Sequence, residues 1–420
     1  MGIAKILPLV IVGEGAWLLF KLRGFYILHP WRTLRSAFCG EGSVDALLSL
    51  MLALAGTLGV GNILGVTVAI GIGGAGSLFW MVTASLFSAV IKYAEVRITA
   101  ARGSKNGMIG VLKKSFGAIG GPLSAAYAAA AFLLSIFMGA ALQSAAVGES
   151  ARAAFGGVPP LFAALFVASV IPLVFLGDGI KKAVAIIIPM ATLCYTGMCL
   201  FVILPNFALV PSIVAECIGD AFSSDGALGG ALGFLTSSAL TKGFSAGLLS
   251  NEAGAGTSSF SHNALPVSEA ARAGVFGIIE VFFDTVFLCT LTGLTLLIGK
   301  RVHPCEDFGI TALSRIFSYY TGRLGEPLLF ASITAFALST VVCWFYYGSV
   351  SVRSLAGAGK KKAVFFIFAP LFLLAVTFGM LFDIPWLIPV TDALLLVLTL
   401  LTLAAIIKNR KLLSNDISQK

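Results

Sequence analysis

A chain of 420 residues that is 58% hydrophobic and only 11% charged cannot build a soluble surface, since soluble domains carry about 25% charged residues. The net charge of +9 does not indicate nucleic acid, because the basic residues are scattered between apolar blocks and the densest run is Lys360-Lys361-Lys362. Seven cysteines without C-x-x-C spacing, most of them inside apolar segments, argue against a disulfide framework or a zinc site.

Apolar blocks of roughly 20 residues, the length that spans a bilayer core, recur from end to end. The first, 3–22, carries Glu14 and no small-residue cleavage site, so it reads as a retained helix rather than a signal peptide. Further spans are predicted over 44–72, 76–101, 122–149, 158–176, 180–204, 237–260, 274–299, 326–351, 363–382 and 385–407. Together these make an all-α polytopic membrane protein of about eleven transmembrane helices, with no soluble domain. Residues 213–222 and 308–320 read as short helices outside the membrane or at its surface. The 47 glycines lie within the apolar blocks, where they let helix backbones approach closely.

The Lys/Arg bias of the loops sets the orientation. One side collects Lys21, Arg23, Arg32 and Arg35, then Arg102, Lys105, Lys113 and Lys114, then Lys181, Lys182 and Arg272. Arg353, Lys360 to Lys362 and the tail residues Lys408, Arg410, Lys411 and Lys420 join them. The other side has Lys5, Arg152, Lys300, Arg301, Arg315 and Arg323. The richer side is expected to be cytoplasmic. That puts the N-terminus outside and the C-terminus inside a multi-pass protein of the cell inner (plasma) membrane.

In the second span, Ala55-Gly56-Thr57-Leu58-Gly59-Val60-Gly61-Asn62 sets three glycines, a Thr and an Asn at mid-membrane depth. Each glycine lowers helix stability by about 1 kcal/mol, and backbone groups freed there cannot be satisfied by lipid. One reading is a discontinuous helix whose free N–H groups face a substrate carboxylate and whose free carbonyls face a cation. The other is a small-residue face for tight helix packing. Leu249-Ser250-Asn251-Glu252-Ala253-Gly254-Ala255-Gly256-Thr257 interrupts the seventh span in the same manner. Interrupted helices in corresponding places of two halves point to an inverted-repeat transporter. Glu252 reads either as a carboxylate capping the second half-helix or as part of the site itself.

Two soluble-enzyme patterns occur without their context. Gly59-x-Gly61-x-x-x-Gly65 has one residue too many for a dinucleotide fingerprint and lacks a strand before it. Gly243-Phe244-Ser245-Ala246-Gly247 matches a nucleophile elbow, but none of His29, His262 and His303 falls clearly within a span to serve Ser245. No H-E-x-x-H or phosphate loop is present, so neither a zinc protease nor an ATP-driven pump is indicated.

The segment GTLGVGNILGVTVAIGIGGAGSLFWMVTASLFSAVIKYAEV, residues 56–96, resembles the signature region of the alanine or glycine:cation symporters, the sodium:alanine symporter family. GLLSNEAGAGTSS, residues 247–259, resembles that family's GLFSNEAGMGSAP, and VFFDTVFLCTLTGL (281–294) and FALSTVVCWFYYG (336–348) follow it as well. The resemblance implies one peripheral helix before a five-plus-five inverted repeat of the leucine-transporter type. The single transmembrane domain then divides into 1–43 (first helix and cytoplasmic loop), 44–204 (first repeat), 205–236 (extracellular connection), 237–407 (second repeat) and 408–420 (tail).

The resemblance further implies that the substrate carboxylate rests on the amides of Gly59, Val60 and Gly61, with Thr57 and Asn62 lining or holding the site. Leu249, Ser250 and Asn251 form the opposite side, and Gln143 is a substrate contact. Ser339 and Thr340, with the carbonyls of Ala55 and Leu58, hold the cation, by implication Na+. Gln143 also reads as satisfied by a helix neighbour, and the two hydroxyls as bonded back to their own helix. The chain departs from the family at Leu249 (usually Phe), Trp344 (Asn), Ala140 (Asn) and Ala75 (Pro). Gly103-Ser104-Lys105-Asn106-Gly107 lies where the family has GGPAYY. These departures bear chiefly on substrate identity.

The expectation is therefore a non-enzymatic secondary symporter that couples sodium, or proton, influx to uptake of a small neutral amino acid, alanine or glycine. Its partners would be the amino acid, a monovalent cation and the bilayer, with no nucleic acid and no cofactor beyond the transported ion, and it would work as a monomer. The alternatives are a same-fold transporter of another small amino acid or amine, and a non-transporting amino-acid sensor.

Overall fold

A computed structural model of the chain describes residues 3–38, 43–175, 179–222, 237–262, 267–356 and 359–414. All regular structure among them is helical. With no water in the bilayer core, a backbone must satisfy its own N–H and C=O groups, and long apolar helices do so within one segment.

The helices that position the site are α1 (Ile3–Lys21), α2 (Ser43–Thr57), α3 (Leu64–Gly73), α4 (Gly76–Ala101), α5 (Gly117–Phe155), α6 (Pro160–Phe175) and α7 (Gly179–Ile203). They continue as α8 (Val210–Ala221), α9 (Ser238–Asn251), α10 (Val267–Val302), α11 (Gly309–Thr321), α12 (Gly325–Leu355), α13 (Lys361–Leu381) and α14 (Leu387–Lys408). Among the described residues, seven helices are long and apolar enough to cross a bilayer, and the bent pair α2–α3 makes an eighth. This is fewer than the sequence leads one to expect. Part of the reason is that α6 and α9, at 16 and 14 residues, are short for a crossing on their own. α9 is short because its expected span stops at Asn251 and resumes only as a 3-10 turn, Thr257–Phe260. The two short helices expected at the surface are α8 and α11.

α4 is the central element. It packs against α1, α9 and the first part of α10, while α9 also lies against α3. α12 crosses the other side and contacts α2, α5, α7 and α13. Close approach is bought with glycine where α5 meets α13: a Cβ on Gly379 would collide with the Ala141 backbone, and one on Gly148 with that of Met380. Two helices loosen into π-helical turns beside the breaks, Ser135–Leu142 in α5 and Phe282–Cys289 in α10. Such bulges are common at functional sites because they redirect side chains and free backbone carbonyls.

Candidate functional site

The first break lies between α2 and α3, whose axes are bent by 59°. Gly59 is extended (φ −109°, ψ −166°), and a 3-10 turn, Val60–Asn62, leads into α3. The Gly59 N–H turns back to the Thr57 carbonyl at 2.7 Å, so Ala55 loses its helical partner. The Ala55 carbonyl instead accepts from the Thr340 hydroxyl at 2.9 Å, and Leu58 O lies 3.4 Å from the same oxygen. One hydroxyl proton thus serves two carbonyls, which leaves acceptor capacity for a cation. The Val60 N–H, also freed, donates to Gln143 Oε1 at 3.1 Å. Gly59 is crowded here: a Cβ would sit 2.9 Å from Gln143 Oε1 and 3.1 Å from Thr340 Oγ1, so both side chains would have to give way.

Ser339 does not share this position. Its hydroxyl donates to Phe336 O of its own helix at 2.8 Å, the back-bonding that mid-helix serines favour. Thr57 likewise points its hydroxyl at Ala53 O, 3.3 Å away.

The second break is held differently. α9 ends on Asn251, and Glu252 follows in the left-handed region (φ 54°), where a residue with a Cβ is strained. Gly254 and Gly256 also have positive φ. The Asn251 carbonyl, at the negative end of α9, accepts from Lys92 Nζ at 2.6 Å. The N–H groups of Gly254 and Gly256 both donate to Glu95 Oε2, at 3.1 and 3.0 Å. Lys92 and Glu95, three residues apart on one face of α4, therefore close the two ends of the gap with ionisable side chains. Glu252 itself accepts from the Thr257 hydroxyl at 2.7 Å and caps no backbone N–H in the described contacts.

Asp284, in the π-helical turn of α10, joins the two breaks. It is fully buried and accepts from Asn62 Nδ2 (2.8 Å), Ser250 Oγ (2.7 Å) and Thr285 Oγ1 (2.8 Å). The Asn251 amide donates to Thr285 Oγ1 at 3.0 Å. Sequence reasoning did not single out Asp284, Lys92 or Glu95. The available signal was the cost of an ionisable group inside an apolar span, which marks a functional role by default. His262, assigned to no span from sequence, is fully buried, with its ring stacked on Phe276.

A cavity of about 610 Å³ lies beside the first break. Thr57, Gly59, Val60, Gly61, Gln143, Ser250 and Glu252 line its floor, and Arg152 and Asp383, paired at 2.7 Å, stand in its wall with Lys242 and Asp392. Asn62 and Asn251 do not line it, because their amides are committed to Asp284 and Thr285; they brace the site rather than face it. Ala140, one of the departures, is buried outside the lining, and the side chain of Leu249 lies outside those described. Ser245 borders the cavity, but no histidine or carboxylate hydrogen-bonds to it among the described residues.

Comparison with known proteins agrees with this architecture. A sequence profile described as the sodium:alanine symporter family matches residues 1–419. The sodium/alanine symporter AgcS of Methanococcus maripaludis is 30% identical over 370 residues, covering 83% of this chain and 80% of that protein. The probable sodium/glutamine symporter GlnT of Bacillus subtilis is 27% identical over 397 residues, covering 90% and 79%. The crystal structure of MhsT in complex with L-phenylalanine superposes with a TM-score of 0.59 at 16% identity, over 86% of this chain and 87% of that one. This last likeness is one of fold, the leucine-transporter type.

Proposed function

Because the chain belongs to the sodium:alanine symporter family, we propose that it couples entry of sodium, or of protons, to uptake of a small neutral amino acid, alanine or glycine, by alternating access. The observation that carries this reading is the juxtaposition at the first break. Freed carbonyls of Ala55 and Leu58 meet a single hydroxyl, and 3-10 amides lie beside them at the floor of a cavity that Ser250 also lines. A cation seated among Ala55 O, Leu58 O and Thr340 Oγ1 fixes the break. The amino acid then lays its carboxylate on the amides of Gly59 to Gly61 and its amine toward the Ser250 side of the cavity, with Gln143 as a neighbour. Ion and amino acid each raise the other's affinity, as linkage requires. The halves 44–204 and 237–407 act as the inverted repeats that rock around the site. The N-terminus lies outside, as the Lys/Arg distribution favours.

A second reading is a larger polar substrate such as glutamine. It is favoured by the charged wall of the cavity, where Arg152, Asp383, Lys242 and Asp392 could receive a polar side chain, and by the name of the Bacillus subtilis relative.

The deciding experiment is uptake of labelled alanine into proteoliposomes under an imposed sodium gradient and then a proton gradient, with glycine, serine and glutamine as competitors. Accumulation under one gradient supports the symporter, and the strongest competitor names the substrate. No accumulation of any of the four under either gradient sinks the reading.

A further inference from the structure

Behind the second break, away from the cation position, lies a second polar centre that the transport scheme above does not use. Glu280 of α10 takes Lys92 Nζ at 3.1 Å and the Ser258 hydroxyl at 2.6 Å, both on Oε1. Among the described residues, its other oxygen, Oε2, meets no hydrogen-bond criterion and faces Nε2 of His262 at 3.8 Å. Among the described residues, neither nitrogen of His262 has a hydrogen-bond partner, nor does Glu95 Oε1. Lys92, Glu95, His262 and Glu280 are at 0% exposure and Ser258 at 1%.

We propose that His262 and Glu280, backed by Lys92, form a proton-binding site whose occupancy is linked to the geometry of the second break and through it to the substrate site; this rests on the symporter reading above.

Charge supports it first. Glu95, Glu252 and Glu280 surround one ammonium, Lys92, and each unpaired buried ion is held at several kcal/mol of desolvation. A proton added to this pair makes His262 an imidazolium that faces Glu280 Oε2 as a charged donor, where the neutral ring offers at most a neutral N–H. Among the described residues, the neighbouring elements bring chiefly acids, hydroxyls and a thiol. From α1 comes Glu14, from α5 the Tyr127 hydroxyl, from α10 Asp284, and from α12 Cys343 and Tyr347, whose hydroxyl lies 2.7 Å from Ser261 Oγ. Arg272, whose guanidinium lies 5.8 Å from the centre of the Phe276 ring, is paired with Glu269 at 3.0 Å. A metal ion suits the place less well, since Lys92 repels it. Among the described residues, no three His, Cys, Asp or Glu side chains are grouped to hold one.

Geometry supplies the link. Lys92 divides its donors between Glu280 and the carbonyl of Asn251, the residue after Ser250. A proton arriving on the Glu280–His262 pair weakens the hold of Glu280 on Lys92 and shifts that donor toward the end of α9, on which Ser250 lines the cavity. The proton comes from water and leaves to water, with no other bond made or broken.

The test uses the full-length protein in proteoliposomes loaded with a pH-sensitive dye, with sodium-driven uptake of labelled alanine measured in parallel. The expected result is substrate-dependent acidification of the lumen, lost in His262→Gln and Glu280→Gln. Apparent substrate affinity should change about tenfold between about pH 5 and pH 8.5 in the wild type and be flat in His262→Gln. Sodium-driven accumulation without acidification, and with the same pH profile in His262→Gln as in the wild type, overturns the proton site and leaves the symporter standing. Because Glu280→Gln can destabilise the fold, and because the symporter reading can itself fail, melting temperature against pH is measured in detergent. Superimposable wild-type and His262→Gln profiles overturn the proposal whether or not transport is seen, and a pH dependence lost in His262→Gln supports it.

Discussion

The two helix breaks are built on opposite electrostatic plans. At the first, the carbonyls of Ala55 and Leu58 share one neutral hydroxyl, and the Val60 N–H meets a neutral amide. At the second, the carbonyl end is closed by the ammonium of Lys92 and the amide end by the carboxylate of Glu95. A neutral hydrogen bond contributes about 0.5–1.5 kcal/mol net, and one to a charged group about 1.5–3 kcal/mol. The first break can therefore exchange its partners for an incoming ion or zwitterion, while the second is held in shape by ions of the protein itself. A backbone gap in a membrane helix is not a binding site until its neighbours leave it something to bind with.

The comparison breaks most severely if the strut on α4 is removed. Lys92→Met leaves Glu280 buried without its cation, and losing one partner of a buried pair costs about 3–5 kcal/mol. Little monodisperse protein should survive purification, as read by fluorescence size-exclusion chromatography; a well-behaved variant with the wild-type melting temperature would show that the second break does not depend on the charge.

Gly59→Ala probes the first break. Its Cβ crowds Gln143 and Thr340, with a strain of about 1–3 kcal/mol. Alanine uptake should fall about tenfold or more while the protein still folds. Undiminished uptake would place the substrate elsewhere.

Thr340→Val keeps the shape and removes the hydroxyl. A loss of about 1 kcal/mol corresponds to a five- to tenfold higher cation concentration for half-maximal uptake. Ser339→Ala should change that concentration by less than about twofold, because its hydroxyl serves its own helix. Equal effects from the two would undo the assignment of Thr340 as the one that faces the break.

Helical class, the location of both interruptions and the family were legible in the chain itself. Apolar length, glycine density and a pair of long motifs are local properties, and a bilayer leaves the backbone few other ways to satisfy its polar groups. Thr340 could be paired with Ala55 and Leu58 only through the family resemblance; the hydroxyl contact that joins them spans 285 positions in the chain. Nothing local distinguishes Thr340 from Ser339, since adjacent residues point about a quarter-turn apart on a helix and only packing decides which faces the neighbour.

The same holds for the charges. An acid or a lysine in an apolar span announces that it needs a partner, but not which one. That Lys92 and Glu95 bracket the second break, and that Asp284 ties Asn62 to Ser250, depend on how α4, α9 and α10 lie together. The amino-acid sequence by itself determined where this backbone comes apart, because helix propensity is a short-range property. Only the tertiary structure decided what meets the exposed ends, because Coulomb and hydrogen-bond partners are chosen by distance in space rather than distance along the chain.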